Sequence, residues 1–132
     1  MMKKIKFLVL SLSLLLSVAF FGEKCLAAAY ICNSESYSVQ HNYPKCFDLN
    51  SKSTINDLSV YATAKPNNTN DIVYLTVYQN SNFTGAVTST TKFPGGDPSV
   101  RVNFILPRNT TYYALVSTDQ TVNVNGKFSA YY

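Results

Sequence analysis

The sequence predicts an all-β protein, a small β-sandwich or jelly roll of six to eight antiparallel strands. Apolar and polar residues alternate over short segments, which is the period of two that a strand imposes on its side chains. Clusters of Pro, Gly, Asn, Asp and Ser separate these segments about every dozen residues, a spacing typical of sandwiches and jelly rolls. The alternation therefore predicts two sheets that share one apolar layer, with no helix after residue 29.

The segment 100–132 carries the clearest alternation. Every second residue from 100 to 106 is apolar, and a turn containing Pro and Asn follows. A second apolar run covers 112–116, and the last run, 122–132, alternates again. We expect these three runs to be successive strands of one sheet.

Five further strands are predicted before this segment. Residues 30–40 are expected to form an edge strand, and 72–79 is the most strand-like segment because β-branched and aromatic residues fill nearly every position. Loops rich in Pro, Asn and Gly are predicted at 65–71 and 94–98. The other predicted strands are 46–49, 58–64 and 86–93. Because the chain lacks Trp, Phe47, Phe104 and Phe128 are expected to fill the core together with several Tyr.

The first 29 residues have the order of a secretory signal peptide. A Lys-rich start precedes an apolar stretch, 7–21, which is too short to span a bilayer comfortably, and small residues end the segment at 27–29. We therefore expect cleavage after Ala29 and a secreted, extracellular bacterial protein whose single domain is 30–132. No stable membrane span is expected after cleavage. The alternative is that the segment stays as a membrane anchor.

Loss of this segment changes the charge of the protein. The segment contains four Lys and one Glu, so its removal lowers the formal net charge from +4 to +1. The remaining Lys and Arg residues are scattered and are not interleaved with aromatic residues. This distribution argues against nucleic acid as a partner.

Two cysteines, Cys32 and Cys46, remain after position 29. Cysteine pairs in exported proteins are usually oxidised, so we expect a disulfide between them, and two free thiols are the alternative. The bridge would close a loop of about 15 residues and stabilise the fold by about 3 kcal/mol. No Cys-x-x-Cys or Cys–His spacing indicates a metal site or a nucleophile.

Catalytic residues and cofactors are not expected. His41 is the single histidine, and no Gly-x-Ser-x-Gly pattern marks a nucleophile. Most acidic residues lie in predicted loops, where Asp commonly stabilises turns. Calcium is the one ion left open, because Asp71, Asp97 and Asp119 supply oxygen atoms on loops that could meet at one end of a sandwich. Ordinary turn formation is the alternative.

All 10 tyrosines lie after position 29. A row of exposed tyrosines suits a binding surface, because each ring offers contact area at low entropic cost while its hydroxyl stays solvated. The alternative is cross-strand packing between neighbouring rings. The tyrosines expected on the strand face opposite the aliphatic residues are Tyr61, Tyr74, Tyr78, Tyr112 and Tyr131.

Two families resemble parts of the chain. The segments Leu-Thr-Val-Tyr at 75–78, Val-Arg-Val-Asn-Phe-Ile-Leu-Pro at 100–107 and Thr-Tyr-Tyr-Ala-Leu-Val at 111–116 together resemble bacterial pre-peptidase C-terminal domains. This resemblance implies a jelly-roll β-sandwich without catalytic residues that attaches to polymers or proteins outside the cell, sometimes with bound calcium.

The second resemblance is shorter. Residues 78–85 are similar to the Tyr-x-x-x-x-Phe-x-Gly corner of a βγ-crystallin Greek key, in which the Gly adopts a positive φ and an aromatic ring packs over it. A crystallin domain carries this motif twice, and the chain has one copy.

Together these features predict a secreted bacterial binding module without catalytic activity, whose partner is an extracellular polysaccharide or protein. The alternative function is that of a secreted antagonistic protein, such as a bacteriocin-like toxin or an enzyme inhibitor. The sequence predicts no particular oligomeric state.

Overall fold

Eight antiparallel strands form the regular structure of residues 30–132, the part of the chain that the computed structural model describes. In chain order they are β1 Tyr30–Val39, β2 Lys45–Asn50, β3 Leu58–Pro66, β4 Ile72–Tyr78, β5 Thr91–Pro94, β6 Val102–Leu106, β7 Thr111–Ser117 and β8 Val124–Tyr131. The predicted all-β class with six to eight antiparallel strands is confirmed. The predicted signal peptide, 1–29, lies outside the described residues.

Within the described part of the chain, no helix is long and apolar enough to cross a membrane.

The strands form two four-stranded sheets. The first sheet has the order β1-β8-β3-β6, and the second has the order β2-β7-β4-β5. Pairing is nested, since β1 pairs with β8, β2 with β7, β3 with β6 and β4 with β5. The expectation that 100–132 forms three successive strands of one sheet is therefore wrong. Strand β7 lies in the second sheet, whereas β6 and β8, which precede and follow it in the chain, lie in the first.

One apolar core fills the space between the sheets. Burial alternates along β3, β6 and β8, so that every second side chain faces the core, as the sequence period predicts. Phe47 of β2 stacks on Phe128 of β8, with ring centroids 4.5 Å apart and an interplanar angle of 13°, and this contact joins the two sheets. Burial of a side chain such as Phe128 contributes about 1.5–3 kcal/mol. The predicted core positions Phe47, Phe104 and Phe128 are all buried.

Hydrogen bonds join the loops at one end of the two sheets. The His41 amide donates to the Gln120 carbonyl oxygen at 2.6 Å, and the Ile72 amide donates to the Gln120 side chain at 3.0 Å. The Gly95 amide donates to the Asp71 carbonyl oxygen at 2.9 Å. The connections β1–β2, β3–β4, β5–β6 and β7–β8 therefore meet in one bonded group, which we call the bonded loop end.

Strand β5 is shorter than the predicted strand 86–93. Leu75 pairs with Thr91 and Tyr78 pairs with Ala86, so two residues of β4 face four residues, 87–90. Backbone and side chain both hold this bulge, because the Val87 amide donates to the Val77 carbonyl oxygen at 2.9 Å, while the Val77 amide donates to the Thr88 hydroxyl at 3.0 Å. The Thr-rich composition that predicts a longer strand thus supplies a hydroxyl that stabilises the bulge.

The predicted disulfide between Cys32 and Cys46 is absent, and both thiols are free. On β2, the neighbours of Cys46 in the alternating pattern, Phe47 and Leu49, are buried, so the Cys46 side chain points away from the core. Cys32 packs against the core, with its Sγ 3.8 Å from the Asp48 carbonyl oxygen. The two thiols thus lie on different sides of β2, whereas a disulfide needs side chains that point toward one another.

Candidate functional site

On the outer face of the first sheet, chemically similar residues are cross-strand partners. Strands β3 and β8 lie side by side in its centre, and the side chains that point away from the core are matched at three successive rungs. The pairs are Tyr61 with Tyr131, Thr63 with Ser129, and Lys65 with Lys127. A fourth contact extends the series, because the Asn67 amide donates to the Asn125 carbonyl oxygen at 2.9 Å.

The first rung belongs to a row of aromatic side chains that crosses the sheet. Tyr131 lies between Tyr30 and Tyr61, with ring centroids 5.8 Å and 5.9 Å away. The guanidinium of Arg101, the residue before β6, lies 5.0 Å from the centre of the Tyr61 ring. We call these four side chains the tyrosine row. A row that crosses four strands, each about 4.8 Å from the next, spans about 14 Å.

The rings of the tyrosine row support one another. Tyr61 and Tyr131 are stacked with an interplanar angle of 27°, so each ring covers part of its neighbour, and both side chains are half-buried. Arg101 adds a cation–π contact worth about 0.5–1 kcal/mol at an exposed position. The row is consequently an ordered surface of aromatic rings, their hydroxyls and one positive charge.

The structure places the predicted surface tyrosines in three different environments. Tyr61 and Tyr131 are together in the tyrosine row, while Tyr74 and Tyr78 lie on the outer face of the second sheet. Tyr112 was expected on a surface, and that placement is wrong, since it is only 7% exposed and its ring centroid is 6.3 Å from that of Phe104 in the core. The predicted five therefore do not form one surface.

On the outer face of the second sheet, Tyr78 of β4 pairs with Tyr113 of β7, but the described residues show no row of stacked rings across its strands. Thr76, between Tyr74 and Tyr78 on β4, is 7% exposed because the bulge covers it, and its hydroxyl lies 2.6 Å from that of Thr90. The ring of Tyr78 packs edge-on against Phe83, with centroids 5.7 Å apart. Gly85 follows with a φ of 66°. The Tyr-x-x-x-x-Phe-x-Gly segment thus forms a local aromatic corner.

Two members of the tyrosine row were not predicted from the sequence. Tyr30 escapes the alternation because the register of β1 against β8 shifts twice between Tyr30 and Glu35. Arg101 lies beside Tyr61 only because β6 pairs with β3, a long-range neighbour that the local pattern does not reveal. Alternation along the chain does place Arg101 on the outer face, because it lies two residues before the outward Asn103. Only the structure shows that Asn103 pairs with Tyr61.

A polar cleft adjoins the third rung of the outer face. It has a volume of about 480 Å³ and opens between β1, β8 and the β3–β4 loop. The Nζ of Lys127 donates a hydrogen bond to the Ser36 hydroxyl at 2.6 Å across this cleft. Its lining residues are Ser36, Tyr37, Ser38, Asn67, Asn125, Gly126 and Lys127.

The hydroxyl of Tyr37 is buried without a hydrogen-bond partner. The side chain is 4% exposed, and Tyr37 pairs directly with Gly126, where a Cβ atom would overlap the Tyr37 ring and hydroxyl. Burial raises the pKa of Tyr37, and the negative charge of Asp71 raises it further. The hydroxyl therefore stays protonated well above neutral pH.

The three aspartates considered for calcium lie on separate loops of the bonded loop end. Asp71 Oδ1 accepts a hydrogen bond from the Gln120 side chain at 3.2 Å. Asp97 Oδ1 accepts from the hydroxyl and the amide of Ser99, and these bonds lower the pKa of its carboxyl. Among residues 30–132, no three His, Cys, Asp or Glu side chains are grouped as metal ligands. The carboxylates of Asp71 and Asp97 thus accept hydrogen bonds that stabilise the loops.

Comparisons of the chain with protein-family models, with curated proteins and with solved structures found no match. The resemblances to pre-peptidase C-terminal domains and to a βγ-crystallin corner stay predictions.

Proposed function

We propose that this protein is a secreted bacterial binding module without catalytic activity, and that it contacts an extracellular polysaccharide through the outer face of the first sheet. The observation that carries the proposal is the tyrosine row of Tyr30, Tyr131, Tyr61 and Arg101. Side chains already stacked on one another lose little further rotamer freedom when a ligand binds. The row is therefore preorganised for contact.

The shape of the row favours a polymer over a small molecule. Its span of about 14 Å exceeds what one small ring can cover, and it lies open on the sheet. Tyrosine combines an apolar ring edge with a hydroxyl that donates and accepts hydrogen bonds, which suits the mixed apolar and hydroxyl surface of a sugar chain. The next rung, Thr63 with Ser129, adds hydroxyls rather than the apolar centre expected of a protein interface.

The chemistry of this face supports binding and not bond cleavage. Its paired side chains on β3 and β8 are tyrosine, hydroxyl and lysine residues, with no histidine, carboxylate or thiol to act as base or nucleophile. The resemblance to pre-peptidase C-terminal domains supports the same kind of function, namely attachment outside the cell.

We further propose that the two sheets form a jelly roll. The support is the nested pairing, in which the first strand pairs with the last and each following strand with the next one inward. Folding one long hairpin of this kind into two layers gives two Greek keys and eight strands, the arrangement of jelly rolls. Lectin domains are among the proteins that use it.

The function is tested by retention on insoluble cell-wall polysaccharide. Tyr61→Ala should reduce retention of the purified protein at least tenfold, because it removes the ring between Tyr131 and Arg101. Tyr74→Ala is the matched control, since Tyr74 is also a half-buried outward tyrosine on a central strand, but in the second sheet. Circular dichroism should show that both variants keep the wild-type fold.

Equal retention of wild type and Tyr61→Ala would overturn the proposed surface. Absence of retention together with inhibition of the growth of related bacteria would overturn the proposed function in favour of a secreted antagonist.

A further inference from the structure

Two lysines face each other on the outer face of the first sheet. Lys65 of β3 and Lys127 of β8 are direct cross-strand partners, and both side chains are exposed. Like charges directly opposite one another destabilise a sheet. Strands β3 and β8 contain no acidic residue that could offset this repulsion from within the same pair of strands.

The surroundings of the lysine pair are polar and hold Lys127 in place. Its Nζ donates to the Ser36 hydroxyl at 2.6 Å, and the cleft beside it is lined by Ser38, Asn67 and Asn125. Glu35, the acidic residue of β1, pairs with Phe128 and does not bond the lysine. The cleft therefore combines positive charge with hydroxyl and amide groups, which are donors to an anion.

The lysine pair lies on the same two strands as Tyr61 and Tyr131, beside the tyrosine row. From Tyr131 to Lys127 along β8, and from Tyr61 to Lys65 along β3, the separation is four residues, or about 13 Å at 3.3 Å per residue. The Thr63–Ser129 rung fills the space between them. An extended chain lying along these two strands would contact the aromatic, hydroxyl and lysine rungs in turn.

We propose that Lys65 and Lys127, with the adjoining cleft, bind a fixed anionic group of the polysaccharide, a carboxylate or a phosphate carried on its sugars. The inference rests on the proposed function and narrows its substrate class to acidic polysaccharides. The anion neutralises the repulsion between the two ammonium groups and accepts charge-assisted hydrogen bonds from them. Arg101, at the far end of the same face, gives a second positive contact to a chain of this kind.

The test compares three soluble polymers by affinity electrophoresis and calorimetry. Polygalacturonate supplies carboxylates, its fully methyl-esterified form is the neutral counterpart, and a glycerol-phosphate wall polymer supplies phosphates. Wild type should bind at least one acidic polymer tenfold or more tightly than the neutral one, and the tighter acidic polymer identifies the anion. This preference should decline as salt rises, because exposed charges are screened over about 10 Å at 0.1 M ionic strength.

The double variant Lys65→Gln/Lys127→Gln should lose the preference while it still binds the neutral polymer. The matched control is Lys45→Gln/Lys92→Gln, which removes the same charge from strands β2 and β5 of the second sheet and should keep the preference.

Equal binding of acidic and neutral polymers by wild type would overturn this inference and leave the proposed function intact. Binding of none of the three polymers would overturn both. Loss of the preference to the same extent in the control would also overturn the inference, because it would show a general charge effect.

Discussion

At the scale of single residues, the hydroxyl of Tyr37 is a buried polar group without a hydrogen-bond partner. A buried polar group without a partner destabilises a protein by about 1–3 kcal/mol. Tyr37→Phe removes that group and keeps the ring over Gly126, so we expect the free energy of unfolding to rise by about 1 kcal/mol. Urea denaturation measures the change, with Tyr43→Phe as a control because Tyr43 is 68% exposed. A decrease in stability would show that the hydroxyl has a partner.

The same residue gives the protein a dependence on alkaline pH. Burial raises the pKa of Tyr37, so its hydroxyl stays protonated in the folded protein at a pH where an unfolded tyrosine, with a pKa of about 10, ionises. This ionisation lowers the free energy of the unfolded state. The free energy of unfolding of the wild type should therefore be unaffected by Tyr37 below about pH 10 and should fall as pH rises above it. Tyr37→Phe should lack this part of the decline when both proteins are unfolded in urea at pH 9 and pH 11.

Alkylation can test whether the thiols of Cys32 and Cys46 are free. Burial raises the pKa of Cys32 and of Cys46, and nearby carboxylates, Glu35 for Cys32 and Asp48 for Cys46, act in the same direction. Both groups are therefore thiols at neutral pH, a form with low reactivity. Protein unfolded without reductant and then alkylated should gain two adducts in residues 30–132 by mass spectrometry. No adduct at either cysteine would indicate the disulfide that the structure lacks.

At the scale of elements, the bonded loop end depends on one close contact between loops. A Cβ atom at Gly95 would overlap the carbonyl oxygen of Asn68, which is backbone and cannot turn away. Gly95→Ala should therefore destabilise the protein by about 2 kcal/mol, as overpacking does. At Gly96 the nearest such atom is the Thr69 carbonyl oxygen at 3.9 Å, so Gly96→Ala should change stability by less than about 0.5 kcal/mol. Equal effects in thermal unfolding would contradict this contact.

The strands show where the sequence pattern is sufficient and where it fails. In β3 and β8 apolar and polar residues alternate, so the pattern placed Tyr61 and Tyr131 on the outer face correctly. In β7, residues 112–116 are all apolar or aromatic, and nothing local indicates which set is buried. The sequence therefore predicts Tyr112 at the surface, whereas Tyr113 is the tyrosine of β7 that points outward.

Bulges are the second cause of failure at this scale. Each extra residue reverses the face of every side chain beyond it, and a bulge held by hydroxyl groups has the same composition as a Thr-rich strand. The irregular start of β1 hid Tyr30, and the bulge at 87–90 shortened the predicted fifth strand.

At the scale of the whole molecule, the sequence predicted the class and the number of strands but not their order. Local alternation shows that a segment has a buried face, and it does not show which distant segment lies beside it. Tyr37 and Gly126 are partners although the chain between them contains most of the domain. The binding face depends on this order, because the tyrosine row takes side chains from strands that are far apart in the sequence.

An amide NMR titration of the protein with soluble fragments of cell-wall polysaccharide tests the central claim most directly. We expect the largest chemical-shift changes to follow the outer face of the first sheet, from Tyr61 and Tyr131 to Lys65 and Lys127. Changes centred on Tyr74 and Tyr78 in the second sheet, or on the bonded loop end, would contradict it.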